Sequence, residues 1–189
     1  MTLPLIVVAA TQAELAGVEA VLEGCSPGEV GRRRIVQGRL GAQSVWLVAS
    51  GAGVVNTAQA LTAVIERQRP GWVLQTGCAG AFRPAGLAVG DIGIADVEIA
   101  PRLGIEDPAA GRGLRQALPF STVGNHKNHY PLDEKLTSRI FDSLRHRYAD
   151  SGVAVVKGPF VTVDTITATP ATARNLHDLH GAVMENMEG

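Results

Sequence analysis

The stretch LPLIVVAATQAELAGVEAVLEG, residues 3–24, contains the pattern that decides the fold. It opens with an uninterrupted apolar run over residues 3–10, which is typical of a strand buried on both faces of a sheet. Apolar residues then recur at helical spacing at Leu15, Val18 and Leu22, and Gly24 is the predicted stop. A buried strand followed directly by a helix is the repeating unit of α/β proteins.

The same alternation continues along the chain. Further strands are predicted over residues 34–38, 44–50, 72–76, 91–99, 153–156 and 160–163. Further helices are predicted over residues 132–147 and 170–180, and after residue 53 with an apolar stripe of Val54, Ala58, Leu61 and Ile65. The pattern predicts one domain over residues 1–189, a three-layer α/β/α fold whose central mixed, largely parallel sheet is flanked by helices. Residues 101–130 have little periodicity, which favours a binding loop or a subunit contact.

Composition excludes several classes of protein. With 17 basic and 18 acidic residues in 189, the net charge of −1 argues against binding to nucleic acid or to an anionic membrane. The long uncharged stretch over residues 40–65 is broken by glycines, amides and Thr57, so no membrane span is predicted. Two cysteines, Cys25 and Cys78, form neither a disulfide framework nor a zinc motif. We therefore expect a cytoplasmic protein with no metal and no cofactor.

Three glycine-containing turns follow predicted strands, at residues 50–53, 76–80 and 89–91. Glycine allows a ligand to approach the main chain, where free N–H groups can hold an anion or a hydroxyl. The alternative is that these glycines serve turn geometry alone. None of the three matches the dinucleotide fingerprint or the P-loop, so a Rossmann-type cofactor enzyme is disfavoured.

Three acidic residues have two interpretations each. Glu14 follows Thr11 with the spacing of a capping box, or it is a functional carboxylate at the end of the first strand. Glu188 is a solvated residue near the end of the last strand, or it binds a polar ligand there. Asp164 is a loop cap or a further polar group of a site. The residues by themselves leave these alternatives open.

Five segments in this order resemble the nucleoside phosphorylase/nucleosidase family across nearly the whole chain. They are Val8-Ala-Ala-Thr-Gln-Ala-Glu14, Ser50-Gly-Ala-Gly-Val-Val-Asn56, Gln75-Thr-Gly-Cys-Ala-Gly80, Val89-Gly-Asp-Ile92 and Glu185-Asn-Met-Glu-Gly189. Within the family the chain is most similar to nucleosidases that cleave methylthioadenosine, S-adenosylhomocysteine or futalosine. The Glu-Asn-Met-Glu-Gly form is closer to futalosine hydrolase, an enzyme of menaquinone synthesis.

The resemblance implies hydrolysis of the N-glycosidic bond of a 5′-modified purine nucleoside. It implies that Glu14 activates the attacking water and that Glu188 binds the ribose hydroxyls. It also implies that Met187 packs under the sugar, that Asn186 and the main chain at Ile166 line the base pocket, and that Ala52 faces the 5′ substituent. The implied substrate-binding positions are Ala52, Gly53, Cys78, Ala79, Gly80, Ile166, Asn186 and Met187.

The resemblance also carries expectations about the rest of the assembly. In the family an Asp beyond the Met-Glu motif protonates the leaving purine, so we expect this chain to lack its C-terminal strand–helix segment and to be impaired in catalysis by itself. A homodimer is implied, in which the loop over residues 103–125 caps the neighbour's 5′ pocket.

Two alternative functions remain at this stage. A purine nucleoside phosphorylase would need arginines that grip phosphate, for which Arg32, Arg33, Arg34 and Arg39 are candidates by number. Their position on or beside a strand is more typical of a solvated basic face. A non-catalytic nucleoside-binding protein on the same fold is the second alternative, because fold does not fix function.

Overall fold

The computed structural model describes residues 3–106, 115–116 and 128–189. The helices are α1 (Gln12–Glu19), α2 (Val54–Arg67), α3 (Glu134–Arg147) and α4 (Pro170–His180), with a short 3₁₀ turn at Arg83–Ala85. The strands are β1 (Leu5–Ala9), β2 (Glu23–Val30), β3 (Arg33–Leu40), β4 (Gln43–Ala49), β5 (Trp72–Gln75), β6 (Gly80–Ala81), β7 (Ile92–Ile99), β8 (Ile105–Glu106), β9 (Arg115–Gln116), β10 (His129–Pro131), β11 (Val155–Thr162) and β12 (Met184–Asn186). The chain divides into two compact units, which we describe separately.

The first unit comprises the described residues up to Cys78, together with Glu188. Its five strands are arranged in the order β2-β3-β4-β1-β5. β1 lies between β4 and β5 and runs parallel to both, so that Val7 is paired with Leu47 on one side and Leu74 on the other. The predicted first strand is therefore an inner strand of the sheet.

Both faces of β1 are buried, as the continuous apolar run predicts. On one face Ile6 and Val8 pack in a cluster with Val64 of α2. On the other face Val7 and Ala9 pack in a cluster with Leu15 of α1. Because successive side chains of a strand point to opposite faces, this unit consists of a sheet between two helical layers.

The second unit comprises Ala79–Met187 and Gly189. Its sheet has the strand order β10-β7-β11-β12-β6, and β11 runs parallel to β7 and to β12. A core cluster of Phe82, Ile99, Val161, Val163 and Ala182 is packed against partly buried side chains that include Met187. The predicted α/β class with mixed strand pairing is confirmed. Ten of the twelve described strands are distributed over two five-stranded sheets, one in each unit, and β8 and β9 pair in a separate two-stranded sheet.

Three local predictions are wrong, besides the end of α1, which lies at Glu19 instead of the predicted Gly24. β2 was not expected, since its sequence EGCSPGEV is polar and contains Pro27. A polar sequence with a proline is tolerated here because β2 is an edge strand paired only with β3. The buried residues of α2 are Thr57, Ala60 and Val64, so the core-facing stripe is offset from the predicted one, and Ala58 and Ile65 are exposed.

The third correction concerns β11, where two strands were predicted and one continuous strand is present. Gly158 is paired with Ala95 and Phe160 with Glu98, so two residues of β7 lie opposite Pro159 alone. This β-bulge accommodates a proline, which has no N–H for the ladder, inside an inner strand.

The remaining expectations concern membrane spans, the capping loop and the domain as a whole. In the part of the chain that the structure describes, no helix is long and apolar enough to cross a membrane. The predicted capping loop over residues 103–125 lies mostly outside the described residues. The predicted single domain, and the expectation that it lacks a C-terminal strand–helix segment, stay predictions.

Candidate functional site

Three loops of the first unit lie at the same edge of its sheet. β4, β1 and β5 are adjacent and parallel, and residues 50–53, 11–14 and 76–78 follow their carboxyl ends in that order. Neighbouring strands are about 4.8 Å apart, so the outer two loops are about 10 Å apart across β1. The N–H of Ser50 donates to the carbonyl of Ala9 at 2.9 Å, and the N–H of Thr76 donates to the carbonyl of Val8 at 2.9 Å. Ligands of open α/β sheets bind at this edge.

Glu14 is held by hydrogen bonds from two of these loops. Its Oε2 accepts from the N–H and the hydroxyl of Thr11, each at 2.8 Å, while the Thr11 hydroxyl accepts from the Glu14 N–H at 3.3 Å. This is the predicted capping box of α1. Its other oxygen, Oε1, accepts from the N–H of Cys78 at 2.9 Å, which a cap alone does not require. The carboxylate therefore links the end of β1 to the loop after β5.

The surroundings of Glu14 favour its ionised form. Partial burial by itself would raise the pKa of Glu14, but the hydrogen bonds from Cys78 and Thr11 outweigh it and lower the pKa below its usual value. Gly77 makes the close approach possible, since a Cβ at this position would lie 2.9 Å from Glu14 Oε1. Near neutral pH the group is consequently a carboxylate at the carboxyl edge of the sheet, as a general base must be.

The loop after β4 binds a carboxylate from the far end of the chain. Glu188 Oε1 accepts a hydrogen bond from the N–H of Gly53 at 3.1 Å. Gly53 is the N-cap of α2, has a φ of +94° and supplies no side chain to cap the helix. A helix N-terminus carries free N–H groups and partial positive charge, so a carboxylate is stabilised there.

The first unit thus brings together several of the sequence-predicted residues. Glu14 is bound to Cys78 and Glu188 to Gly53, in two pairs at the loops that follow β1, β4 and β5. Ala52 is exposed, and its carbonyl accepts from the Asn56 side-chain amide at 2.6 Å. The Cys78 side chain is exposed and its thiol is free, so Cys78 contributes its main-chain N–H to this edge.

Arg33 and Arg34, two of the candidate phosphate ligands, are engaged with side chains of their own unit. Arg33 donates to Asn56 Oδ1 and to Gln59 Oε1, each at 2.7 Å. Arg34 donates to Gln12 Oε1 and forms an ion pair with Glu19 at 3.5 Å. Both guanidinium groups are thereby tied to helices α1 and α2, which limits their availability as a clamp for phosphate.

The remaining predicted residues belong to the second unit. Asn186 is the last residue of β12, and its side-chain Nδ2 donates to both carboxylate oxygens of Glu98 at 3.1 Å. Met187 is partly buried against the core of this unit, and the Ile166 side chain is 71% exposed. Ala79 and Gly80 lie at the start of the unit, where both are exposed.

Two buried carboxylates of this unit were missed by sequence reasoning. Glu185 is 6% exposed, and its carboxylate accepts from the N–H of Thr167 at 2.9 Å and from the Thr167 hydroxyl. Gly80 is paired with Glu185 across the sheet, and a Cβ on Gly80 would lie 2.9 Å from Glu185 Cγ. Glu185 therefore anchors the loop that carries Ile166. It belongs to the quoted C-terminal motif, but nothing in the motif indicates that this carboxylate is buried.

Glu98 is the second of these carboxylates and is 9% exposed at the end of β7. Besides Asn186, the Thr162 hydroxyl donates to its Oε1 at 2.6 Å. Burial raises the pKa of Glu98, and the hydrogen bonds from Thr162 and Asn186 offset this only in part. The sequence signal was an acidic residue in a mostly apolar strand that also contains Asp96, and periodicity alone could not show that Glu98 is buried.

No group of three or more His, Cys, Asp or Glu side chains among residues 3–106, 115–116 and 128–189 is arranged to hold a metal ion. The hydrogen-bonded partners of Glu14, Glu98 and Glu185 are all amide or hydroxyl groups. The chemistry that these groups offer is acid–base and hydrogen bonding.

Comparison with known proteins connects this geometry to a family. The sequence pattern of the family described as "Phosphorylase superfamily" matches residues 4–189. Futalosine hydrolase from Thermus thermophilus is 33% identical over 142 residues, which are 74% of this chain and 57% of that enzyme. Futalosine hydrolase from Acidothermus cellulolyticus is 34% identical over 190 residues, with 100% of this chain and 71% of that enzyme covered. The chain thus spans 57% to 71% of the length of these two relatives.

A solved structure of similar fold is the S-adenosylhomocysteine nucleosidase of Streptococcus pyogenes, in complex with 5-methylthiotubericidin. It is 23% identical with a TM-score of 0.79, and the match covers 100% of this chain and 75% of that one. At this identity the likeness establishes the fold.

Proposed function

This chain belongs to the phosphorylase superfamily, and on that premise we propose that it hydrolyses the N-glycosidic bond of a 5′-modified purine nucleoside. The observation that carries the proposal is the Glu14 carboxylate at the carboxyl edge of β1, β4 and β5. Glu14 is ionised near neutral pH, as a general base for water must be, and the Cys78 N–H anchors it at the edge of the sheet.

Glu188 supports the same proposal from the loop after β4. Cleavage of a purine N-glycosidic bond passes through a sugar with oxocarbenium character, so carboxylates beside the ribose stabilise the developing positive charge. Glu188 accepts one hydrogen bond at Oε1 from the Gly53 N–H. In the proposed reaction its carboxylate binds the ribose hydroxyls while Glu14 deprotonates the water that attacks C1′.

Hydrolysis is favoured over phosphorolysis by the contacts of Arg33 and Arg34, two of the four candidate phosphate ligands. Phosphate recognition needs guanidinium groups that can offer two parallel N–H donors to the anion. Arg33 already donates to Asn56 and Gln59, and Arg34 to Gln12 and Glu19. A phosphorylase that bound phosphate through Arg33 or Arg34 would have to break these contacts first.

We further propose that the nucleoside is futalosine, released as hypoxanthine and dehypoxanthine futalosine in menaquinone biosynthesis. The support is the identity of 33% and 34% to two futalosine hydrolases, together with the Glu-Asn-Met-Glu-Gly form of residues 185–189. Methylthioadenosine or S-adenosylhomocysteine is the alternative substrate, since a fold shared with the Streptococcus pyogenes nucleosidase does not separate these nucleosides from futalosine.

The test is the release of free base from futalosine and from methylthioadenosine, followed by chromatography with and without inorganic phosphate. We expect hypoxanthine from futalosine at a rate that phosphate does not change. If only methylthioadenosine were cleaved and adenine released, futalosine would be the wrong substrate, but the proposed N-glycosidic hydrolysis would stand. Strict dependence on phosphate, or nucleoside binding by calorimetry without base release, would overturn the proposed hydrolysis.

Other expectations drawn from the resemblance stay predictions. They are the base contacts of Asn186 and the Ile166 main chain, the packing of Met187 under the sugar, the homodimer and the cytoplasmic location. The Leu103–Asn125 loop, as a cap over a neighbour's 5′ pocket, is one of them too.

A further inference from the structure

Glu98 is a buried carboxylate to which neither the sequence motifs nor the proposed chemistry gives a role. It lies near the end of an inner strand, is 9% exposed, and has hydrogen-bond donors on both of its oxygens. A carboxylate in an apolar sheet is expensive unless its partners satisfy it. Replacing it by an apolar residue would fill the same space, so its presence needs a reason that packing does not supply.

The backbone of β7 is shaped to deliver this side chain. The β-bulge opposite Pro159 lies directly before Glu98, between the pairs Ala95–Gly158 and Glu98–Phe160. Bulges interrupt the alternation of a strand and re-aim the side chain that follows. Glu98 is thereby directed to Thr162 and Asn186, on β11 and β12.

The contact with Asn186 fixes the orientation of an amide. Asn186 Nδ2 donates to Oε1 and to Oε2 of Glu98, each at 3.1 Å. The opposite side of the same amide, Oδ1, accepts from the N–H of Gly189 at 2.9 Å. A flipped amide would turn its oxygen towards the Glu98 carboxylate and its NH₂ towards the Gly189 N–H, and both contacts would become repulsive.

The Asn186 side chain therefore closes the loop over residues 186–189, because it belongs to the first residue of the loop and binds the N–H of the last. Met187 and Glu188 lie between Asn186 and Gly189 in the sequence, so the closure confines their main chain. Gly189 is packed so closely that a Cβ there would overlap Glu98 Cδ and Thr162 Oγ1. The Glu98 carboxylate, the Asn186 amide and the Gly189 main chain therefore pack directly against one another.

We infer that Glu98 is a positioning residue, which orients the Asn186 amide and thereby holds the 186–189 loop in the conformation that presents Glu188 to a nucleoside. The inference rests on the proposed function for its activity readout, and goes beyond it in naming a residue that touches no substrate. The Asn186 and Thr162 donors are what a carboxylate needs in order to serve as a pure acceptor here.

The experiment exchanges the hydrogen-bond donor and acceptor between positions 98 and 186. In Glu98→Gln, the new NH₂ opposes the Asn186 Nδ2, so we expect the KM for the nucleoside to rise about tenfold or more while kcat changes less. In Glu98→Gln/Asn186→Asp, the introduced glutamine amide donates to the introduced aspartate carboxylate, whose other oxygen still accepts from Gly189. We expect this double variant to restore the hydrogen bond of the Gly189 N–H and to recover part of the KM lost in Glu98→Gln, since Asn186 is itself a predicted base contact. Asn186→Asp alone places two carboxylates together, which repel each other. We expect this variant to have the highest KM of the three.

Three controls make each outcome decisive. Glu134→Gln makes the same substitution at an exposed position in the first turn of α3 and should leave KM and kcat unchanged. Thermal unfolding shows which variants fold, and if Glu98→Gln does not, Thr162→Val removes one hydrogen bond from the same carboxylate and should raise KM several-fold. The temperature coefficient of the Gly189 amide proton, measured by NMR, reports the loop contact without any turnover.

An active wild type with an unchanged KM in Glu98→Gln, or a double variant no better than the single one, would overturn the inference. A wild type without base release would instead overturn the proposed function. In that case the Gly189 amide still decides this inference, because the inference requires its hydrogen-bond signature to be lost in Glu98→Gln and restored in the double variant.

Discussion

Replacing Glu14 by glutamine separates the two roles that one carboxylate combines. Glu14 caps α1 through Thr11 and accepts from the Cys78 N–H, and it is the proposed base for water. Glutamine has nearly the same shape but one acceptor oxygen and an NH₂ group. In the wild type the N–H groups of Cys78 and Thr11 each donate to one oxygen of the carboxylate. Whichever way the glutamine amide turns, its NH₂ therefore faces one of these two donors.

The two losses differ in size. One unsatisfied donor pair at a partly exposed helix end lowers the free energy of unfolding by about 1 kcal/mol. Loss of a general base lowers kcat by about 10² to 10⁴, which is roughly 3 to 5 kcal/mol at the transition state. The activity of Glu14→Gln should therefore fall far more than its stability accounts for.

Thr11→Val is the matched control. It removes the capping hydroxyl, and thus two of the hydrogen bonds around Glu14, but keeps the carboxylate and its bond to Cys78. We expect a similar loss of about 1 kcal/mol in urea unfolding and a kcat/KM within about fivefold of wild type. Because the Thr11 hydroxyl helps lower the pKa of Glu14, the acid limb of the kcat/KM profile should move to higher pH. An equal loss of activity in both variants, at equal stability, would refute the assignment of Glu14 as base.

Three further outcomes follow from the structure. Glu188→Gln should keep the contact to Gly53 through its oxygen but lower kcat/KM by about 10- to 100-fold, as measured in the base-release assay; a rate equal to wild type would contradict its role at the ribose. Gly80→Ala should lower stability by about 1 to 3 kcal/mol in chemical unfolding, because its Cβ would lie 2.9 Å from Glu185 Cγ, whereas a neutral result would mean that Glu185 can move aside. Burial raises the pKa of Glu98, so its contribution to the free energy of unfolding is present below the unfolded pKa and is lost as the pH rises through the folded pKa. The unfolding free energy of Glu98→Gln should lack this decline with pH. Parallel pH profiles of the two proteins would exclude such a contribution from Glu98.

The fold was predictable where one local pattern decided the structure. β1 is recognisable as a strand buried on both faces because seven apolar side chains and one proline occupy residues 3–10, and the helices α3 and α4 begin at capping residues next to an apolar stripe. β2 was not predictable, because an edge strand paired on one side needs no apolar face, and its polar sequence is compatible with a loop. The offset stripe of α2 has a similar cause: Thr57 is buried through hydrogen bonds to Ser50 and Gly53, so polarity misled the choice of face.

The candidate site was predictable only as far as sequence neighbours define it. The capping box of Glu14 is local and was anticipated, whereas its contact with Cys78 joins residues 64 positions apart. Gly53 and Glu188 are 135 positions apart, and Glu98 and Asn186 are 88 apart. No spacing rule covers such pairs. The order of parallel strands within one sheet brings Glu14 to Cys78 and Glu98 to Asn186, and that order is not written in the local sequence.

The glycines explain why carboxylates can hold these positions. A Cβ on Gly77 would crowd Glu14, one on Gly80 would crowd Glu185, and one on Gly189 would overlap Glu98. In each case the missing side chain makes room for a carboxylate against the main chain, where backbone or side-chain donors satisfy it. These three glycines therefore serve the placement of carboxylates as well as turn geometry. Substituting the glycine should then perturb the same function as neutralising its carboxylate, because both changes remove one contact.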